Sequence, residues 1–333
     1  MQSLKLMRRT TLLLFALVAS LFSADAPDLT LPLKPNSVRF AVIGDSGTGE
    51  KAQYETAAEM TAIHDRFPFE FVIMLGDNIY GGKSAADFKR KFEDPYKTLL
   101  DGGTKFYACL GNHDETNERL YKPFNMDGKR YYNFKRGNVE FFVLDSNYMD
   151  CDQLDWLQSQ LSASHATWKI CYFHHPIYSD ARAHGPNTDL RKLLEPVFAA
   201  HGVNVVFAGH EHVYERLKPQ SGIYYFVLGN SGQLRFHDLR AAAETAKGFD
   251  TDRTFALVEI DEDQFYFQVI SRTGETVDSG QLEVIKKSSR YGFRGVAATG
   301  AGASLPSLTR PLESLPSSNR KTTAVLGSSP GTM

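Results

Sequence analysis

Cysteine is scarce in this sequence, and neither sign of charge is in excess. Three cysteines in 333 residues are too few, and odd in number, for a disulfide framework, and their spacing fits no zinc site. We expect Cys109 and Cys171, which lie in strand-like runs, to be buried thiols, and one disulfide through Cys151 is left open. The 37 basic and 39 acidic residues give a net charge of −2, which indicates no nucleic-acid partner.

Long apolar runs are missing beyond the N-terminal segment. Residues 1–26 combine basic residues, an apolar run at 12–22 and small residues. The run is shorter than the ~20 residues that span a bilayer, so we predict a signal peptide and an exported protein, periplasmic or extracellular. A retained anchor is the alternative, although we expect no stable membrane insertion, and the export route and oligomeric state stay open. Residues 287–333 are rich in Ser, Gly, Pro and Thr and are predicted to be disordered, which leaves 36–286 as the folded domain.

Five short motifs with metal-ligating side chains each follow an apolar, strand-like run. A single Gly-Asp would be ordinary turn chemistry, but five such units predict loops that converge at the carboxyl ends of strands. The motifs are Gly44-Asp45-Ser46-Gly47, Gly76-Asp77-Asn78-Ile79-Tyr80, Gly111-Asn112-His113-Asp114, Phe173-His174-His175-Pro176 and Gly209-His210-Glu211-His212.

The order of the patterns predicts an α/β fold in which two packed mixed β-sheets are flanked by helices, an α/β/β/α sandwich. Strand and helix patterns alternate as far as the last motif, and strand patterns follow it. Helices are predicted at 51–66, 84–100, 153–161 and 190–200, and the later strands at 223–228, 254–260, 264–271 and 276–285.

The ligand types indicate two metal ions of different character. The two oxygens of Asp77 can bridge both ions, while Asp45, His210 and His212 can divide between them, because alternate residues of an extended segment point in opposite directions. The Tyr80 phenol must lose its proton to bind a metal, which favours a trivalent cation, so we predict ferric iron beside a divalent ion. Packing of Tyr80 against the pocket is the alternative.

The motifs resemble the pattern Asp…GDxxY…GNH…xxxH…GHxH of the purple acid phosphatases, a branch of the metallophosphoesterase superfamily. The chain is similar to their small, tartrate-resistant type. The resemblance implies that Fe(3+) is held by Asp45, Asp77, Tyr80 and His212, and a divalent Fe2+, Zn2+ or Mn2+ by Asp77, Asn112, His174 and His210. The family's ligand stands two residues before the proline, which selects His174, and strand alternation would send His175 to the opposite face; His175 as the ligand is left open.

The resemblance also implies an acid phosphatase that hydrolyses small phosphate monoesters by attack of a metal-bound hydroxide. His113 would protonate the leaving group, and a charged His184 would contact phosphate. Without this context, His113 would be a turn residue bonded to Asp114 and His184 a surface histidine. The alternative functions are a phosphodiesterase or nucleotidase with a Mn or Zn pair, and a non-catalytic metal or phosphate binder.

Overall fold

Two mixed β-sheets form the centre of the fold in this computed structural model, which describes residues 28–285. The first sheet has the order β13-β12-β11-β1-β2-β3. Its strands are β1 (Val38–Ile43), β2 (Phe71–Met74), β3 (Lys105–Ala108), β11 (Thr254–Asp261), β12 (Gln264–Ser271) and β13 (Thr276–Glu283). The predicted signal peptide, 1–26, and the predicted tail, 287–333, lie outside the described residues.

The second sheet has the order β10-β8-β9-β7-β6-β5-β4. Its strands are β4 (Tyr132–Arg136), β5 (Val139–Val143), β6 (Trp168–Phe173), β7 (Val205–Ala208), β8 (Tyr214–Leu217), β9 (Tyr224–Leu228) and β10 (Thr245–Phe249). Parallel pairing joins β1, β2 and β3 in one sheet and β5, β6, β7 and β9 in the other, whereas the remaining pairs are antiparallel. The predicted pair of mixed sheets is therefore confirmed.

The longer helices lie close to their predicted positions. The α-helices are α1 (Lys51–His64), α2 (Ala85–Phe88), α3 (Lys97–Asp101), α4 (Cys151–Ala163) and α5 (Thr188–His201). The single helix predicted over 84–100 was wrong, because a π-helical turn at Lys89–Glu93 separates α2 from α3. Pro95 follows that turn, and a proline has no N–H for the helical ladder and clashes with the carbonyl four residues earlier.

Alternating side chains of the second sheet divide the apolar interior into two cores. Phe141 points between the sheets, where its ring lies 5.2 Å from that of Phe40 and 5.4 Å from that of Phe71, both edge to face. The neighbouring Phe142 belongs to the other core, which α4 and α5 cover with residues such as Leu157 and Phe198. A strand that is buried on both faces is held rigidly, which fixes the positions of the loops at its end.

Replacing Phe141 with Ala is expected to lower the free energy of unfolding by about 3–5 kcal/mol, because the aromatic contacts across the sheets are lost and a cavity remains. Urea unfolding followed by circular dichroism measures this change. Phe236→Ala is the matched control, since the Phe236 side chain is 63% exposed. A loss below about 1 kcal/mol for Phe141→Ala would contradict the assigned inter-sheet core.

The cysteines are unpaired in the described part of the chain. Cys109 and Cys171 are buried, as predicted, and Cys151 is exposed without a disulfide partner.

Between residues 28 and 285, none of the helices combines the length and the hydropathy that crossing a bilayer requires.

Candidate metal centre

The five motif loops meet beyond the carboxyl ends of strands from both sheets. They follow β1, β2 and β3, which pair in parallel in the first sheet, and β6 and β7, which pair in parallel in the second. Backbone hydrogen bonds join the loops directly: the Asp45 amide donates to the Gly76 carbonyl at 3.1 Å, and the Gly209 amide donates to the His174 carbonyl at 3.0 Å. The convergence predicted from the motif positions is present in the structure.

One group of candidate ligands contains Asp45, Asp77, Tyr80 and His212. Ligand atoms of the two aspartates and His212 lie within 4.8 Å of one another. The Tyr80 hydroxyl donates to Asp45 Oδ1 at 3.1 Å and lies 3.2 Å from His212 Nε2. Both aspartates are buried, so their oxygens face each other with little solvent between them.

A second group contains Asn112, His174 and His210. Asn112 Oδ1 lies 2.9 Å from His174 Nε2 and 2.9 Å from His210 Nδ1, and these two nitrogens are 3.2 Å apart. Nδ1 of His174 contacts the Leu75 carbonyl oxygen at 2.9 Å, which only an N–H can satisfy. In the neutral ring the proton therefore lies on Nδ1. The Nε2 lone pair points toward the other metal-ligating atoms of this group, Asn112 Oδ1 and His210 Nδ1.

Asp77 lies between the two groups. Its Oδ1 is 3.5 Å from His174 Nε2 in the second group, and its carboxylate also lies among the ligand atoms of the first. The His113 backbone N–H donates to the same Oδ1 at 2.8 Å and holds the carboxylate in this orientation. Asp77 is thus the described side chain that reaches both groups.

Close backbone packing brings these side chains together. A Cβ at Gly111 would stand 2.2 Å from Asp77 Oδ1, and one at Gly209 would stand 2.5 Å from Asp45 Oδ2, so neither position has room for a side chain. Asp45, Asp77 and His210 also have positive φ angles of 52°, 50° and 69°. Such angles are strained for non-glycine residues and concentrate at functional sites.

The electrostatics of the two groups fit bound cations. Burial, followed by the charge of Asp77, raises the pKa of Asp45 well above its usual value. Burial also lowers the pKa of His210 to about 2 and that of His212 to about 4, so both rings are neutral and have a free lone pair. Carboxylate oxygens and imidazole lone pairs that face one another repel unless a positive ion lies between them. The donor set therefore suits two metal ions.

The Tyr80 phenol is also affected by burial and by the charges of the two aspartates. Burial raises the pKa of its phenol far above the ordinary value, and the charges of Asp45 and Asp77 raise it further. The phenol accordingly stays protonated and donates to Asp45. Only a strong positive charge beside the oxygen would release that proton.

His175 lies closer to the site than the sequence suggested. Strand alternation predicted opposite faces for His174 and His175, and this was wrong, because β6 ends at Phe173 before either residue. Their ring centroids lie 5.0 Å and 4.5 Å from that of His210. His175 Nδ1 is engaged at 2.9 Å by the Ser146 hydroxyl, whereas His174 is fully buried against Asn112.

His113 is exposed at the edge of the site. Its ring lies 4.9 Å from the ring of Tyr80.

The Asp114 carboxylate accepts hydrogen bonds from the amides of Gly111 and Asn78, both at 2.8 Å, and from the Asn78 side chain at 2.7 Å. Asp114 therefore joins two motif loops by hydrogen bonds rather than bonding the His113 ring.

His184 also lies beside the site, with its ring stacked on that of His210 at 4.4 Å. The Arg235 guanidinium donates to His184 Nδ1 at 3.0 Å. Burial, with the charge of Arg235 next, lowers the pKa of His184. The Arg235 hydrogen bond and the lowered pKa both disfavour the charged ring, and a charged His184 stays a prediction; in the neutral ring Nδ1 accepts the hydrogen bond and the proton lies on Nε2.

Sequence reasoning missed Arg235 and Glu211. The fully buried Glu211 accepts the His184 amide through Oε1 at 3.1 Å, and its Oε2 lies 3.6 Å from Arg235 Nη1. Burial raises the pKa of Glu211 to about 7. The position of Glu211 between two histidines was a usable signal, whereas Arg235 lies in a loop without a ligand motif of its own.

Comparisons with known proteins define the class to which this fold and site belong. The calcineurin-like phosphoesterase family model matches residues 38–214, which is more than half of the chain and includes all five motifs. The chain therefore belongs to the calcineurin-like phosphoesterase family.

Comparisons with individual proteins indicate a narrower group within this family. The chain is 30% identical to purple acid phosphatase 4 of Arabidopsis thaliana, over 67% of this chain and 77% of that protein. It is 27% identical to tartrate-resistant acid phosphatase type 5 of Rattus norvegicus, over 73% of this chain and 89% of that protein. A purple acid phosphatase from yellow lupin seeds has the same fold, with a TM-score of 0.64 at 16% identity over 75% of this chain and 55% of the lupin chain. The resemblance predicted from the motifs is confirmed.

Proposed function

We propose that the chain is an acid phosphatase that hydrolyses small phosphate monoesters at a centre of two metal ions. The position of Asp77 between two groups of donors carries this proposal, because one carboxylate that reaches both groups is what a two-metal centre needs. Asp45, Tyr80 and His212 would hold ferric iron with Asp77. The divalent ion would be held by Asn112, His174, His210 and Asp77. Such a pair, when bound, supplies a more acidic water and positive charge for the phosphoryl oxygens.

Two side chains outside the donor groups, His113 and His184, would protonate the leaving group and orient the substrate. The exposed His113 is fixed at its backbone by Asp77, and its imidazole N–H would protonate the departing alkoxide. His184 would contact a phosphoryl oxygen through its Nε2–H, since Arg235 occupies Nδ1. Both groups donate at the edge of the site, where a phosphate ester can enter from solvent.

Replacing Tyr80 with Phe is expected to remove the visible charge-transfer band of the purified, metal-loaded protein, because the phenolate that binds ferric iron is lost. The measurement is an absorption spectrum together with metal analysis. Tyr148→Phe is the control, since Tyr148 is 63% exposed. An unchanged band in Tyr80→Phe would contradict the ferric assignment but leave the phosphatase proposal standing.

Activity assays test the phosphatase proposal itself. We expect the metal-loaded protein to hydrolyse p-nitrophenyl phosphate faster than bis(p-nitrophenyl) phosphate, with an acidic optimum. Faster hydrolysis of the diester by a colourless, Mn- or Zn-loaded protein would indicate the phosphodiesterase alternative. Metal binding without turnover would indicate the non-catalytic alternative.

Export, inferred from residues 1–26, is part of the same proposal and is tested by the cellular fraction that contains the activity.

A further inference from the structure

Lys83 is a largely buried lysine in the loop that follows Tyr80. Its side chain is 11% exposed, and its ammonium group contacts three oxygen atoms. These are the Ile79 carbonyl, the His113 carbonyl at 2.9 Å and Glu118 Oε1 at 2.9 Å. A lysine ammonium has three N–H donors, so each donor has one acceptor here. Lys83 therefore uses its donors within the protein and not on a substrate.

The three acceptors lie in two different loops. The Ile79 carbonyl belongs to the loop after β2, the His113 carbonyl belongs to the loop after β3, and Glu118 lies in a 3-10 turn farther along that second loop. Strands β2 and β3 are parallel neighbours, so both loops leave the sheet at the same edge. One ammonium group therefore joins the loop of the candidate ferric ligand to the loop of the proposed proton donor.

Glu118 holds the ammonium group in place. Its side chain is 2% exposed, and Oε1 also accepts the Glu115 amide at 2.9 Å. Its Oε2 is buried and has no hydrogen-bond partner among the described residues. Removing Lys83 alone would leave this carboxylate buried without its cation, which is strongly destabilising. A test of Lys83 therefore needs a second variant in which Glu118 is also neutral.

The backbone of His113 is fixed on both sides of its Cα atom. Its N–H donates to Asp77 Oδ1 at 2.8 Å, and its carbonyl accepts the hydrogen bond from Lys83 at 2.9 Å. The ring lies at the exposed edge of the site, 4.9 Å from the ring of Tyr80. The two backbone contacts set the direction in which this ring leaves the chain.

We propose that Lys83 is a positioning residue for proton transfer, which places the His113 imidazole at the leaving-group oxygen by binding the His113 carbonyl. This inference rests on the proposed phosphatase function and on the role given there to His113. A proton donor must lie within hydrogen-bond distance of the oxygen that it protonates. A displacement of about 1 Å can therefore lower the rate about a hundredfold.

The first test replaces Lys83 with Met and compares two esters in the metal-loaded protein. The kcat for glycerol 2-phosphate is expected to fall about 10- to 100-fold, the range of a lost hydrogen bond to a charged group. KM should change little, because the proton is transferred in the transition state and not on binding. The rate with p-nitrophenyl phosphate should fall much less, since p-nitrophenolate leaves without a proton.

Lys91→Met is the matched control. The Lys91 side chain is also buried, at 4% exposed, and its ammonium group donates to the carbonyls of Tyr80 and Gly82. It therefore supports the same loop at Tyr80 rather than at His113, and any loss in Lys91→Met should be equal for the two esters. A selective loss on glycerol 2-phosphate as large as that of Lys83→Met would overturn the inference, because loosening of the loop would then explain both.

The double variant Lys83→Met, Glu118→Gln removes both members of the buried pair, so no unpaired carboxylate remains. The loss on glycerol 2-phosphate should persist, because the His113 carbonyl still has no ammonium donor. Recovery of the wild-type rate would overturn the inference, since the buried charge of Glu118 would then have caused the loss.

A double-mutant cycle tests whether Lys83 acts through His113. In a His113→Gln protein, Lys83→Met should have little further effect on kcat for glycerol 2-phosphate, because the donor that Lys83 positions is already absent. A fall by the same factor in the His113→Gln protein and in the wild type would overturn the inference.

Hydrogen exchange of the metal-loaded protein gives a measurement that does not depend on turnover. The amides of residues 113–118 are expected to exchange about 10- to 100-fold faster in Lys83→Met than in the wild type, and at the wild-type rate in Lys91→Met. Unchanged exchange in Lys83→Met would overturn the inference. A wild type that hydrolyses neither ester would contradict the proposed function, whereas an active wild type with equal losses on both esters in Lys83→Met would overturn the positioning role alone.

Discussion

Replacing Asp77 with Asn is expected to lower kcat/KM for p-nitrophenyl phosphate about a thousandfold, because metal ions at such centres contribute several kcal/mol to charge stabilisation and each 1.36 kcal/mol changes the rate tenfold. Asp77 reaches both donor groups, so the loss of one of its oxygens affects both ions. Asn is the suitable replacement, since the φ angle of 50° at this position is one that Asn tolerates.

Metal analysis separates this effect from misfolding. Asp77→Asn should retain the circular dichroism spectrum of the wild type while the metal content falls below two ions per chain. The control is Asp101→Asn, which changes an aspartate whose side chain is 65% exposed at the end of α3. Full activity and an unchanged metal content in Asp77→Asn would contradict the two-metal centre, because Asp77 is the carboxylate that both ions would share.

The strands that position the site could be predicted because they are apolar and end in a motif. The apolar run that precedes the first motif, 38–43, matches β1 at both ends, and the run that precedes His174, 169–173, differs from β6 by one residue. Strand β10 was missed because Thr245–Phe249 contains alanine, lysine and glycine, which have low strand propensity. Pairing with β8 holds it in the second sheet, and such pairing is a tertiary effect that local sequence does not encode.

The candidate ligands could also be predicted, since each lies in a motif of four or five residues that follows a strand-like run. The residues around them could not. Arg235 approaches the site because its backbone bonds to His212, which precedes it by 23 positions along the chain. The Arg235 guanidinium then donates to His184 Nδ1, which places the proton of the neutral His184 ring on Nε2. The sequence indicated which residues form the centre. The hydrogen bonds that set the protonation of their side chains depend on the fold and could not be predicted from the sequence.

Replacing His113 with Gln is expected to slow the hydrolysis of glycerol 2-phosphate about 100- to 10,000-fold, the usual range for general acid catalysis. The alkoxide that leaves glycerol 2-phosphate is strongly basic and needs a proton, whereas p-nitrophenolate leaves without one. The loss on p-nitrophenyl phosphate should therefore be much smaller. Gln keeps the backbone N–H that donates to Asp77, so the metal content is expected to stay at the wild-type level.

The dependence on the leaving group distinguishes proton donation by His113 from a structural role. A role confined to packing against the Tyr80 ring, 4.9 Å away, would lower the rates of both esters by the same factor. His165→Gln, at an exposed histidine after α4, is the control and should change neither rate. Equal losses on the two esters in His113→Gln would assign the proton to another donor at the edge of the site, and the Nε2–H of His184 would then be the next group to replace.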